Sequence, residues 1–302
     1  MNETPRSSMP IMSTPHRGIA YAGLHGAVFL FGVAGLFGKW IAAPALLIVL
    51  GRVLVASLVF ALLAVVQPPG VPLSRKERGL LAGCGALLAF HWFCFFTAIQ
   101  VSTVAVGLLS YSTAPVFVVL LEPFIFRERW SWGTLVAALL CVAGVAVLVE
   151  HWEGGSSVVL GTAWGVASGL SFAVLSLFNR ALAQRHGSVR IAYHQDVWAA
   201  LSLTPFLPWV WQPLAAQDLV LLILLGVFCT ALAHSLFIRS IRIFKAGVAA
   251  IASALEPVYG IGLAVLLLGE IPTVRNMIGG GLILLAVICV SLRPKGENYK
   301  NN

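Results

Sequence analysis

The sequence predicts an all-α integral membrane protein of ten transmembrane helices, arranged as two inverted five-helix repeats with both termini in the cytoplasm. The prediction depends on an apolar composition, on ten apolar runs and on a likeness between the two halves. Of the 302 residues, 59% are apolar and 10% are charged, and the mean hydropathy is +0.94. Soluble domains carry about 25% charged residues. A soluble enzyme and a nucleic-acid-binding protein are therefore disfavoured, in spite of a net charge of +8.

The apolar runs have the length of membrane-spanning helices. A bilayer core of about 30 Å needs about 20 mostly apolar residues per helix. The runs do not alternate every second residue, as the strands of a membrane barrel would. Turn-like segments such as Gln67 to Gly70 separate them. The predicted spans are 19–40, 44–66, 79–98, 103–126, 131–149, 161–183, 191–211, 217–238, 246–269 and 273–292.

The placement of basic residues predicts the orientation. If the N-terminus is cytoplasmic, 16 of the 19 lysine and arginine residues fall in inside segments and two in outside segments. Cytoplasmic loops carry such an excess, so the net positive charge is explained as a topology signal. The first residues lack a cleavable signal pattern. The predicted organisation is a cytoplasmic tail (1–18), a first repeat (19–149), a linker (150–160), a second repeat (161–292) and a cytoplasmic tail (293–302).

A repeated pattern relates the two halves. Thirteen positions separate Pro115 from Glu128, and the same number separates Pro257 from Glu270. A shift of 142 residues superimposes the two pairs. An odd number of helices per repeat forces the second copy to cross the membrane in the opposite direction. Inverted repeats are typical of secondary transporters, which bind substrate near the midplane at the repeat interface.

Several motifs also carry a family resemblance that covers residues 18–292: Phe31-Gly32, Lys39, Pro44, Arg52, the two proline–glutamate pairs and Gly279-Gly280-Gly281. With these motifs the chain resembles the drug/metabolite transporter superfamily, in particular bacterial exporters with two EamA-type domains. It departs from the family at Phe31, where tryptophan is frequent, and in the second half, where no arginine matches Arg52. The resemblance implies export of amino acids, other small metabolites or toxic analogues.

An acidic residue and two prolines mark the expected midplane. A carboxylate at the bilayer centre costs about 2.5–3.5 kcal/mol, so Glu256 is expected to bind a substrate ammonium, carry a coupling proton or bond to a neighbouring helix. Pro115 and Pro257 each deprive a carbonyl of its helical donor, at Tyr111 and Ser253. These positions correspond in the two repeats and are expected to face one cavity. Alternatively, nearby hydroxyl groups satisfy the freed carbonyls.

Other polar and aromatic residues within the spans complete the candidate site. Histidine within a span is a functional hypothesis by default, whereas helix-to-helix hydrogen bonds, or lipid contact for Trp92, are the alternatives. Arg52 either extends to the outer interface or contacts a carboxylate or the substrate. The candidate substrate-binding residues are His25, His91, Trp92, Phe95, Tyr111, Trp164, Ser168, His234, Ser253, Glu256 and Tyr259, and the candidate coupling or gating residues are Glu256, Pro115, Pro257, Arg52 and Asp196.

The predicted function is secondary export of small metabolites, foremost amino acids or amphipathic analogues, by alternating access around a midplane cavity. No catalytic residue, cofactor, metal site or nucleic-acid partner is expected. The five cysteines form no Cys-x-x-Cys motif. The expected setting is a monomer in a bacterial inner membrane, with protons as a candidate coupling ion. The alternatives are an exchanger of sugar phosphates or nucleotide sugars, a membrane-embedded enzyme and a channel.

Overall fold

The fold is helical throughout the part of the chain that the structure describes. The computed structural model describes residues 14–66, 71–126, 132–148, 156–243, 252–253 and 255–291. The predicted tails and linker lie largely outside these ranges. Six of the described helices are long and apolar enough to cross a membrane, and three more apolar helices are shorter. The chain is therefore a multi-pass membrane protein, whereas the count of ten spans and the sidedness stay predictions.

The described part of the first half contains six helices: α1 (Thr14–Trp40), α2 (Ala45–Val66), α3 (Arg75–Val101), α4 (Val104–Tyr111), α5 (Ala114–Phe126) and α6 (Trp132–Leu148). A capping box starts α3, because Ser74 Oγ accepts from the Glu77 N–H while the Glu77 carboxylate accepts from the Ser74 N–H. The predicted span 103–126 is not one continuous helix. It breaks between α4 and α5, where Pro115 cannot donate to the carbonyl of Tyr111.

The second half contains α7 (Ser157–Ala183), α8 (Ser188–Leu203), a 3-10 turn (Thr204–Phe206), α9 (Leu207–Val210), α10 (Ala216–Gly226), a π-helical turn (Val227–Leu232), α11 (Ala233–Ile243), α12 (Glu256–Leu268) and α13 (Val274–Ser291). Pro257 lies in the first turn of α12, where its missing N–H costs nothing. Gly269 ends that helix at φ +67°, a conformation that favours glycine. The π-helical turn interrupts the predicted span 217–238.

Helices of the two halves pair in a symmetric pattern. α1 packs on α11 and α12, and its counterpart α7 packs in the same way on α3 and α5. α3 packs on α8, while α10 and the π-helical turn, which together with α11 form the counterpart of α3, pack on α2. The pairs α2–α8 and α6–α13 each join an element to its own counterpart, and the contact between α4 and α12 joins the predicted span 103–126 to its counterpart, 246–269. A two-fold relation between two repeats produces such a pattern.

Glycines set the closest approaches between these helices. A Cβ atom on Gly85 of α3 would lie 2.6 Å from the carbonyl oxygen of Gln195 on α8. In the equivalent pair, a Cβ atom on Gly226 of α10 would lie 3.0 Å from the carbonyl oxygen of Arg52 on α2. Small residues allow membrane helices to approach in this way. The two contacts bring α2, α3, α8 and α10 around a shared centre.

Candidate substrate cavity

A narrow cavity lies where the two halves meet. The cavity is lined by side chains of α1, α2, α3 and α4 from the first half, and of α7, α11 and α12 from the second. Its lining residues are Phe31, Ala34, Arg52, Leu88, His91, Trp92, Phe95, Tyr111, Phe172, His234 and Glu256. A mostly apolar and aromatic wall with a few convergent polar groups is typical of small-molecule sites.

Aromatic rings form most of the wall. The ring of Tyr111 packs edge-on against Phe95 and Phe172, with centroids 5.6 Å apart in both pairs. Trp92 packs edge-on against His234 at 5.9 Å, and it is buried, so it does not contact lipid. Edge-to-face pairs at such distances add stabilisation beyond the area they bury. The wall is thus a connected set of rings rather than isolated side chains.

His91 joins α3 to α7 through Ser168. Its Nδ1 atom lies 3.0 Å from the Ser168 carbonyl oxygen and 2.9 Å from the Ser168 hydroxyl. One tautomer donates from Nδ1 to the carbonyl, and the other accepts there from the hydroxyl. Both histidines of the wall are buried, but His234 differs, because its Nδ1 atom has no hydrogen-bond partner among the described residues.

Arg52 and Glu256 place opposite charge types on the cavity wall. Arg52 is 1% exposed, so the interpretation in which it extends to the outer interface is wrong. Its guanidinium donates to the Thr230 hydroxyl at 2.9 Å and to the Cys229 carbonyl at 3.1 Å. It also lies 4.0 Å from the centre of the Trp92 ring, in cation–π range.

Glu256 is buried in the first turn of α12, at the cavity. Within the described ranges, no residue donates a hydrogen bond to its carboxylate. The N-terminal end of a helix carries partial positive charge, which favours an acidic group. Glu256 is therefore a buried acidic group available to a ligand.

Asp196 lies on α8 behind this wall, not in it. It is fully buried, and neither carboxylate oxygen has a hydrogen-bond partner in the described chain. It interacts with Arg52 electrostatically. Its neighbour Gln195 donates to Asn179 at 2.6 Å. Its predicted coupling or gating role stays a prediction.

Other predicted site residues lie away from the cavity. His25 is exposed on α1, and Ser253 is half-buried. Trp164 packs on Phe93, and Tyr259 packs on Phe29. A binding role for these four candidate residues stays a prediction.

The two prolines act on the backbone around the cavity. The Tyr111 carbonyl oxygen that Pro115 deprives of a donor lies 2.9 Å from where a Cβ atom of Gly169 would be, so it packs closely on α7. Pro257 lies beside Glu256 in the first turn of α12. The two predicted gating prolines thus flank cavity residues, and a gating role stays a prediction.

Sequence reasoning missed several residues of the site. Ala34, Leu88 and Phe172 line the cavity, but apolar residues within apolar spans give no distinguishing signal. Thr230 was detectable, because it is a hydroxyl residue within the apolar span 217–238. Its contact with Arg52 could not be read from spacing, since the two residues lie 178 positions apart.

The EamA-like transporter family matches the chain twice, over residues 18–150 and 159–292. The chain belongs to the EamA-like transporter family. The resemblance seen in the sequence motifs is thus confirmed, and the family is one of transporters rather than enzymes. A small-molecule substrate and a lipid bilayer are the partners that membership implies.

Several relatives of this EamA-like chain are named as exporters. The pseudopaline exporter of Pseudomonas aeruginosa is 27% identical, covering 89% of this chain and 95% of the relative. A probable amino-acid metabolite efflux pump of Salmonella typhimurium is 29% identical, covering 80% and 83%. A probable terminal-alkyne amino-acid exporter of Streptantibioticus cattleyicolor is 26% identical, covering 88% and 86%. A solved crystal structure shares the fold with a TM-score of 0.67 at 20% identity, covering 91% of this chain and 98% of that one.

Proposed function

We propose that this EamA-like transporter is a secondary exporter of small amphipathic metabolites, with amino acids and their analogues as the first substrate class. The observation that carries the proposal is the cavity between the halves, where Arg52 and Glu256 stand among aromatic rings. A molecule with an ammonium group and an apolar side chain would place the ammonium at Glu256. Its side chain would then contact the rings of Phe95, Tyr111 and Phe172.

The energetics of burial support a ligand at Glu256. Taking an unpaired carboxylate out of water costs several kcal/mol. The first turn of α12 offsets only part of this cost, about 0.3–1 kcal/mol for a charge at a helix end. A substrate ammonium or a proton would neutralise the group. Glu256 is accordingly the residue at which substrate binding and proton coupling would meet.

The helix arrangement supports alternating access around this cavity. α4 ends beside the cavity at Tyr111, and α12 begins beside it at Glu256. Broken helices end at the substrate site in this way in many transporters. The symmetric pairing of helices gives each half an equivalent contact on the other. Rocking of one half against the other would expose the cavity to each side in turn. We place the protein in a bacterial inner membrane, as a monomer with both termini cytoplasmic.

The same observations disfavour an exchanger of sugar phosphates or nucleotide sugars. Sugar phosphates and nucleotide sugars carry two or more negative charges and need several cationic groups. Arg52 is the one lysine or arginine among the described lining residues, and Glu256 would repel a phosphate. A channel would not need a charged group of each sign at its centre.

Counterflow in proteoliposomes tests the proposal. Vesicles loaded with one unlabelled amino acid at high concentration should transiently accumulate a labelled trace, because a carrier exchanges the two and a channel does not. Glu256→Gln should reduce this accumulation at least tenfold. Glu297→Gln makes the same chemical change in the tail that is predicted to be cytoplasmic (293–302). It should keep wild-type counterflow. Full transport by Glu256→Gln with an unchanged pH profile would contradict the role of Glu256.

A further inference from the structure

The π-helical turn opposite Arg52 has a specific backbone pattern. In an α-helix the N–H group of Ala233 would donate to the carbonyl of Cys229. Here it donates to the carbonyls of Phe228 and Thr230 instead. The Cys229 carbonyl accepts from Arg52 Nη2 at 3.1 Å. Turns of π-helix are rare and frequently occur at functional sites. This one presents a backbone acceptor to a side chain of the other half.

Thr230 provides a second hydrogen-bond acceptor for Arg52. Its hydroxyl donates to the Leu225 carbonyl, five residues back, at 2.8 Å. The hydroxyl oxygen accepts from Arg52 Nε at 2.9 Å. The hydroxyl of Thr230 therefore donates its one proton to the backbone, and its oxygen accepts from the guanidinium. Thr230 is fully buried, so water does not replace either bond.

These contacts orient Arg52 without neutralising it. A hydroxyl and a carbonyl are neutral acceptors, so the positive charge stays available. The nearby carboxylate of Asp196 attracts Arg52 but accepts no hydrogen bond from it. The Nη1 amino group of Arg52 likewise has no acceptor among the described residues. A guanidinium with free N–H groups at a cavity is suited to a carboxylate, which it can bind with two parallel hydrogen bonds.

We propose that Arg52 is the anion-binding pole of the cavity, for a substrate carboxylate, and that Thr230 positions it. The inference rests on the proposed function and deepens it, since it requires a transported molecule to carry a carboxylate as well as an ammonium group. Trp92 covers one face of the guanidinium at 4.0 Å, which closes that face to a ligand. Specificity then depends on the hydroxyl of Thr230, which touches no substrate.

A set of three compounds with one side chain tests the charge requirement. Phenylalanine, 2-phenylethylamine and 3-phenylpropionate share a ring and differ in their ammonium and carboxylate groups. Leucine, isopentylamine and 4-methylpentanoate form a second set. Each compound competes against a labelled amino acid in the counterflow assay. Wild type should bind each amino acid at least tenfold more tightly than the matching amine. Equal competition by the amine would overturn the anion pole while the transporter assignment stands. Absence of counterflow with every amino acid would overturn the proposed function itself, and the inference with it.

Variants of Thr230 test the positioning role. Thr230→Val keeps the shape and removes the hydroxyl, so the apparent KM for amino acids should rise about tenfold, the scale of one hydrogen bond to a charged group. Competition by the amine should not change, because the amine does not use Arg52. Thr230→Ser should restore the wild-type KM. A parallel weakening of the amine and the amino acid by Thr230→Val would show a structural role alone. Thermal unfolding of both variants in detergent controls for misfolding.

Discussion

The contact between α6 and α13 allows a sharp test of helix packing. A Cβ atom on Gly279 would lie 2.7 Å from the carbonyl oxygen of Gly144 and 2.9 Å from the backbone nitrogen of Leu148. Backbone atoms cannot move aside as a side chain can. Gly281 is on the same helix, and no described neighbour lies within 4 Å of its Cβ position. Gly279→Ala and Gly281→Ala therefore make one chemical change in two environments.

Two opposing contributions determine how the free energy of unfolding differs between these two variants. Alanine is favoured over glycine within a helix by about 1 kcal/mol, and this gain is common to both variants. Forcing extra volume into a packed interface costs about 1–3 kcal/mol, and this applies to Gly279 alone. The difference between Gly279→Ala and Gly281→Ala is therefore about 1–3 kcal/mol, because the helix term cancels.

Thermal unfolding in detergent at one scan rate measures this difference. About 2–4 °C corresponds to 1 kcal/mol for a domain of roughly 150–250 residues, so Gly279→Ala should unfold several degrees below Gly281→Ala. Gly281→Ala should equal or exceed the wild type. Identical midpoints for the two variants, or a higher midpoint for Gly279→Ala, would refute the close contact between α6 and α13.

Three further stability predictions concern single hydrogen bonds and one turn. Glu270→Ala should lower stability by about 1 kcal/mol, because its carboxylate accepts from the Val104 N–H at 2.8 Å as a helix cap does; Glu270→Gln should cost less in the same unfolding measurement. Ser168→Ala should cost under about 1 kcal/mol, since His91 can still donate to the carbonyl of residue 168; a greater loss would show that the hydroxyl is the partner. Gly269→Ala should cost about 1–2 kcal/mol at φ +67°, with Gly269→Asn less affected.

The sequence predicted the helices well, because a bilayer forces spanning segments to be apolar and helical. The sequence also places Pro115, Pro257 and Glu256 near the expected midplane of the membrane. The structure brings Tyr111 and Glu256 to one cavity. The break after Tyr111 was foreseeable from Pro115, although the prediction treated the span as continuous. The π-helical turn was not foreseeable, since its residues, Val227–Leu232, have no breaker among them.

The candidate site was predicted only in part, because packing decides which side of each helix faces the interior of the protein. His25 and His91 are equally unusual in apolar spans, yet one is exposed and the other buried. When both faces of a helix are apolar, hydrophobic periodicity does not separate the lipid-facing side from the interior. Arg52 shows the same limit, since an interfacial and an interior position are both compatible with its place in span two.

The bond from Glu270 to the first N–H group of α4 joins the far end of α12 to the beginning of a helix in the other half. Gly260 of α12 also packs against Leu108 of α4, so the two segments are held at two levels. α4 and α12 would therefore move together as one rigid unit. Rocking of one half against the other would therefore carry α4 along with the second half. The first half would then bend at Ser112 and Thr113, where α4 ends and α5 begins.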